Sequence, residues 1–175
     1  GMMEKTSGRT ARRVEADMDR EDYMRRALEL ARNALATGDV PVGCVVADRD
    51  GTILGEGWNR REARGDALAH GAVEAIRAAC QRRGGWNLHG CTLYVTLEPC
   101  PMCAGAILNA RLDRVYYGAR DEKAGACGSV LNLFMEDFNH HPRVYGGILG
   151  EECAALLQDF FQGLRSGGGA RGGIS

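Results

Sequence analysis

The segment that most constrains the fold is Thr96-Leu97-Glu98-Pro99-Cys100-Pro101-Met102-Cys103, where a Cys-x-x-Cys pair falls between the end of an apolar, strand-like run and the start of a helical pattern. Two thiolates at this spacing converge on one soft cation, and a helix N-terminus lowers thiol pKa and favours the anionic ligand. Pro101 suits a first helical turn, where its missing N–H costs nothing. Zinc fits this chemistry best. Alone, the pair leaves two other readings open, a redox dithiol and two merely packed cysteines. A third ligand shifts the balance. Of the four histidines, His70, His89, His140 and His141, only His70 stands at the start of an amphipathic helical pattern after a turn-rich loop, mirroring the cysteines. Three protein ligands leave a fourth position for water, which is the catalytic arrangement for zinc.

The patterns around this cluster alternate between strand and helix. Tyr23, Ala27, Leu28, Leu30, Ala31, Ala34 and Leu35 recur at helical spacing between Asp19 and Gly38. Val42 to Ala47 and Thr52 to Trp58 flank an Asp-Gly turn and predict a hairpin. After a polar loop over 59–66, Ala69, Val73, Ile76, Ala79 and Cys80 predict a second helix. A strand follows over Thr92 to Leu97, then a short apolar helix after Pro101, a strand over Leu112 to Gly118, a short strand at Val144 and Tyr145, and a closing helix from Glu151 to Leu164. Such alternation predicts an α/β layered fold with a mixed sheet, antiparallel at the hairpin and parallel across the later strand-helix-strand stretch.

Length and composition agree with a single domain. The 175 residues are near the rough rule of about 150 per domain. Apolar residues at 45% and charged residues at 26% suffice for a core without disulfide staples and exclude disordered and fibrous classes. Lys and Arg number 22 against 23 Asp and Glu, so a polyanion partner would need a local basic patch. Seven cysteines with no apolar leader at the N-terminus predict a reducing, cytoplasmic compartment, and Cys44, Cys80, Cys91, Cys127 and Cys153 read mostly as packed free thiols. No apolar run is long enough to cross a bilayer. Residues 1–17 read as a flexible segment whose Gly1-Met2-Met3 start is a tag remnant, 18–165 as the folded domain, and 166–175 as a glycine-rich flexible tail.

The cluster and its flanks resemble the tRNA-specific adenosine deaminases of the zinc-dependent cytidine deaminase superfamily, over about residues 21–164. The resemblance is carried by Val40-Pro41-Val42-Gly43, Gly55-Glu56-Gly57-Trp58-Asn59-Arg60, Ala69-His70, Thr92 to Cys103 with Ala104-Gly105-Ala106, Gly118-Ala119-Arg120-Asp121, Glu151 to Leu157 and Asp159-Phe160-Phe161. It implies a three-layer α/β/α deaminase fold around a mixed sheet of about five strands. It implies one zinc ion per subunit, on His70, Cys100 and Cys103, and no organic cofactor. It implies hydrolytic attack on C6 of adenine to give inosine at the wobble position of a tRNA anticodon. Asn59 matches the residue that hydrogen-bonds the target base, Asp121 one that contacts the anticodon beside it, and a homodimer is implied, with the apolar face of Met102, Ala106 and Ile107 and the strand after it as its interface.

One residue departs from the family pattern. The motif is His-x-Glu, with the glutamate moving protons, and here the stretch is His70-Gly71-Ala72. Loss of a general acid/base typically costs about 10²–10⁴-fold in rate. Glu74, four residues beyond His70, is expected to point away from the metal and to share a solvated face with Arg77. With every other block in place, Ala72 reads as a deliberate inactivating replacement in preference to natural loss of catalysis. Arg60, Arg61, Arg64, Arg111, Arg114, Arg120, Lys123 and Arg143 are expected to border the site and meet RNA, while Phe160 and Phe161 are split between core packing and the loop. The competing functions are a deaminase of a free base or nucleoside, such as guanine or cytosine, and a non-enzymatic zinc-stabilised RNA-binding protein.

Overall fold

A computed structural model describes residues 18–166, and the segments 1–17 and 167–175, with the expected tag remnant and nearly all of the tail, lie outside the described residues. Asp19 opens the first helix, α1 (Arg20–Asn33), through a reciprocal capping box: its carboxylate accepts from the Asp22 amide at 2.9 Å, and that of Asp22 accepts from the Asp19 amide at 3.1 Å. A 3₁₀ turn, Ala34–Thr37, ends the helix at Gly38, whose left-handed backbone (φ 70°) turns the chain toward the sheet.

The hairpin forms as its sequence predicts, with β1 (Gly43–Ala47) antiparallel to β2 (Ile53–Trp58). Then come a one-turn helix, α2 (Arg61–Arg64), and α3 (Gly71–Arg83), β3 (Thr92–Leu97), α4 (Pro101–Ala110), β4 (Arg114–Ala119), β5 (Arg143–Tyr145) and α5 (Gly150–Ser166). The strands make one sheet in the order β2-β1-β3-β4-β5. The β1 strand is antiparallel to both neighbours, while β3, β4 and β5 run parallel, so the expected mixed sheet of about five strands is present.

Register assigns the faces. Tyr94 lies opposite Val45 and Tyr116, and its ring stacks on Tyr23 of α1 at 4.7 Å and on Tyr116 at 5.3 Å. Helix α1 therefore covers this face, joined by α5, whose Cys153 seats against Gly118 two residues beyond Tyr116. The other face receives α3. A Cβ at Gly57 would stand 2.6 Å from the Ala75 nitrogen and the Gly71 oxygen, so glycine is what lets the α3 backbone lie directly on β2. Val45, Val46, Leu93, Val95, Ile107, Leu112 and Val115 fill the core between the layers.

Two readings of the polar segments change. The loop over 59–66 contains α2, and the loop before Pro142 contains a second 3₁₀ turn, Leu133–Met135. The α2 turn is too short to nucleate itself. It is held from a distance by Asp39, whose buried carboxylate accepts from the amides of Glu62 at 2.6 Å and Ala63 at 3.1 Å and from the Thr37 hydroxyl at 2.6 Å. No local pattern within 59–66 reveals a cap supplied from 23 residues upstream.

Candidate metal and deaminase centre

Two helices aim their N-termini at one point. His70 is the N-cap of α3 and Cys100 the N-cap of α4, both extended in backbone, with Pro101 opening α4. The Nδ1 atom of His70 lies 3.5 Å from the Sγ of Cys100 and 3.5 Å from the Sγ of Cys103. Ligand bonds of 2.0–2.1 Å to nitrogen and 2.3 Å to sulfur, opened to a tetrahedral angle, put nitrogen and sulfur about 3.6 Å apart. The spacing thus fits zinc, and the sulfur-rich donor set is the kind that selects it. His70, Cys100 and Cys103 form the group with metal-binding geometry among the described residues, all three ligand atoms lying within 4.8 Å of one another.

The two thiols divide one proton between them. A hydrogen bond from Cys103 brings the Cys100 thiol down to about 4, helped by His70, whereas the same bond and burial push Cys103 well up. One of the pair is therefore a thiolate at neutral pH before any cation arrives. The other cysteines differ. Burial drives Cys44 up, Cys91 to about 11, and Cys127 and Cys153 to about 12, and no cysteine is bridged. Cys44, Cys91 and Cys153 are packed thiols as expected, while Cys80 and Cys127 are only half-buried.

The cluster borders a cavity of about 20 Å³, lined also by Asn59, Ala72 and Glu98. Roughly 10–15 Å³ suffices for one water, so this space is of water size. Ala72, 2% exposed, lines the cavity from the first turn of α3. Asn59 is also buried, and its Oδ1 accepts from the Gly71 amide at 2.7 Å. That bond ties the end of β2 to the start of α3 and leaves the side-chain NH₂ as the group available to the cavity. The site lies at the carboxyl ends of the parallel strands, where α/β sheets generally place ligands.

Asp121 opens the loop that follows β4, beside the cluster. It is 3% exposed, and its Oδ1 accepts from the amides of Lys123 and Ala124, each at 3.1 Å, shaping its own loop. Its Oδ2 is buried without a hydrogen-bond partner, and the residue borders a second cavity of about 350 Å³ beside the site together with Arg120, Lys123 and Phe161. Phe160 and Phe161 pack edge to face at 5.2 Å, both half-buried against the core, and Phe161 reaches this cavity.

Two expectations require correction. Glu74 does not pair with Arg77 on an open face; its carboxylate meets Arg64 at 2.9 Å and its side chain is 13% exposed, so it fastens α3 to α2. Arg114 and Arg143 begin β4 and β5 and pair in register, and Arg111 ends α4. All three lie at the opposite end of the sheet, about 17 Å from the site along a six-residue strand. The basic residues at the site end are Arg60, whose guanidinium stacks on Trp58 at 3.8 Å, with Arg61, Arg64, Arg120 and Lys123. Glu98, to which the motif alone assigns no role, lines the cavity and accepts four hydrogen bonds from one loop.

A mixed five-stranded sheet with a His/Cys/Cys triad on two helix N-termini defines a deaminase, and residues 18–165 match the family described as MafB19-like deaminase. The tRNA-specific adenosine deaminase of Bacillus subtilis is 44% identical over 146 residues, 83% of this chain and 90% of that protein. That of Haemophilus influenzae is 46% identical over 156 residues, 89% of this chain and 90% of that protein. A solved structure from work on A-to-I editing by tRNA deaminases at the wobble position superposes with a TM-score of 0.74 at 43% identity, covering 77% of this chain and 98% of that one. The chain belongs to this deaminase family, in the branch of the tRNA-specific adenosine deaminases.

Proposed function

We propose that the chain is built for zinc-dependent hydrolytic deamination of adenosine to inosine at the wobble position of a tRNA anticodon, acting in the cytoplasm as a homodimer, and that Ala72 deprives it of its proton carrier. The observation that carries this reading is that Ala72 and Asn59 face the same water-sized cavity as the His70, Cys100 and Cys103 triad. These three residues would hold one zinc ion, which when bound supplies a hydrolytic nucleophile near neutral pH. The NH₂ of Asn59 is left to donate to an acceptor nitrogen of the purine. The base is far larger than the cavity and must seat over its mouth, with Arg60, Arg61, Arg64, Arg120 and Lys123 placed for the phosphates around it. An anticodon loop offers bases that are already unstacked, so extruding one is cheap. A methyl at position 72 can neither accept nor deliver a proton.

Ile107 is buried in this chain's own core and is not free to meet a partner as expected; a second copy would cover the apolar surface beside α4, where Val130, Leu131, Met135 and Phe138 are exposed and the Leu133–Met135 turn touches the helix. The test of the reaction is Ala72→Glu, assayed for inosine in a tRNA with wobble adenosine, with free adenine, guanine and cytosine as controls. The carboxylate should raise the rate by about 10²–10⁴-fold. A variant that holds zinc and binds tRNA yet makes no inosine sinks the enzymatic reading, and turnover of free guanine alone moves the substrate to a free base.

A further inference from the structure

The loop from Asp121 to Ser129 flanks the metal cluster with no helix or strand of its own. It is nevertheless wrapped around one carboxylate. Glu98, 2% exposed, accepts at Oε1 from the Asp121 amide at 3.1 Å and from the Ser129 hydroxyl, and at Oε2 from the amides of Cys127 at 2.9 Å and Ser129 at 3.1 Å. All four donors come from 23 to 31 residues away. The fit leaves no spare room, since a Cβ at Gly125 would stand 2.2 Å from Oε2.

The contacts are nested. Glu98 fixes the Asp121 backbone, the Asp121 carboxylate fixes the amides of Lys123 and Ala124, and the Gly125 amide returns to the Asp121 carbonyl at 2.8 Å. The loop is stitched to the motif a second time where the Ala126 amide donates to the Pro99 carbonyl at 2.8 Å. Asp121, Arg120 and Lys123 line the 350 Å³ cavity beside the cluster on the face that results. An irregular loop with few apolar anchors would not keep such a face ordered by packing.

The geometry points to Glu98 as a positioning residue that holds the Asp121–Ser129 loop in the shape that receives the nucleotides next to the reacting base. This rests on the RNA reading above. Both carboxylate oxygens of Glu98 are taken up by the loop, and it acts through the loop. Because all its partners are donors, only a carboxylate suits the position. An amide of the same shape would turn an NH₂ against N–H groups, so Glu98→Gln is expected to behave as a loss and not as a rescue.

The test uses the zinc-loaded protein with Ala72 in place. Amide exchange at Asp121, Cys127 and Ser129 is measured in the free protein, affinity is measured for an anticodon stem-loop RNA with wobble adenosine, and the visible spectrum of the cobalt-substituted protein reports the cluster. Glu98→Gln should speed exchange at the three amides about tenfold or more and weaken RNA binding by a similar factor, with the cobalt spectrum unchanged. Ser129→Ala, which removes one donor, should move both readouts the same way by a few-fold, and it decides the matter if Glu98→Gln does not fold. Unchanged exchange, or faster exchange with RNA affinity intact, overturns the positioning role and leaves the deaminase reading standing. Failure of the unsubstituted protein to bind the RNA overturns the substrate reading and this one with it.

Discussion

Removing the Asp39 carboxylate should loosen the segment that carries the site without touching the site itself. Its oxygens accept from two amides of α2 and from Thr37, and it is 2% exposed. Hydrogen bonds to a charged group contribute about 1.5–3 kcal/mol each, but here they share one acceptor and do not add. The amides of Glu62 and Ala63 belong to exposed residues, so water can replace part of what Asp39→Ala removes. The lost cap alone is worth about 0.5–2 kcal/mol. A net loss of about 2–4 kcal/mol is expected, read by urea unfolding, and at about 2–4 °C per kcal/mol it lowers Tm by roughly 4–16 °C. Asp39→Asn keeps one acceptor oxygen and should lose about half as much. The consequence for function follows from connectivity, because Asn59 and His70 flank the loosened segment and the Arg60 amide closes it by donating to the Ala69 carbonyl at 2.9 Å. Exchange at the Glu62 and Ala63 amides should rise more than exchange in β1 or β3. A loss under about 0.5 kcal/mol would place Asp39→Ala among ordinary surface changes and refute the idea that this carboxylate organises the segment.

Three further outcomes follow from the same geometry. Zinc at a hundredfold excess over its Kd should stabilise the fold by about 2.7 kcal/mol, so a chelator should lower Tm by roughly 5–10 °C, and Cys103→Ala should remove the difference between chelated and zinc-loaded protein. In metal-free protein the Cys100 thiol, held at about 4 chiefly by Cys103, is a thiolate at pH 6, so iodoacetamide should label Cys100 there while Cys44 stays unlabelled; the labelling should fade only as pH falls toward 4, and equal labelling of the two would contradict the assignment. Met135→Glu, which puts a charge on a residue 81% exposed beside α4, should shift the chain from dimer to monomer in sedimentation, and a monomeric parent protein would remove the dimer from the proposal.

What the sequence displays and what it conceals divide by contact distance. Thr96 to Cys103 is legible because strand end, proline and both sulfur ligands fall within eight consecutive residues, and the helix that begins after His70 announces its own start. The layered fold follows from the same local periodicities. Arg114 and Arg143 were misplaced because a run of residues does not say which end of a strand faces a site; only the parallel pairing of β4 with β5 puts them together at the far end. For Asp121 the resemblance supplies a contact with the anticodon but says nothing of its burial, which depends on the amides of Lys123 and Ala124 and on Glu98 behind them. Asp39 and Glu98 share the reason they were missed. Each is a carboxylate at the edge of a regular element that satisfies backbone donors more than 20 residues away. Loops beside a reacting centre have little apolar surface to hold them, and stray buried amides are costly, so a buried acceptor is a direct way to give such a loop one shape. Periodicity and motif spacing describe what an element does for itself. They are silent on what one element's end does for another's loop, and in this chain those long-range acceptors set the walls of the site.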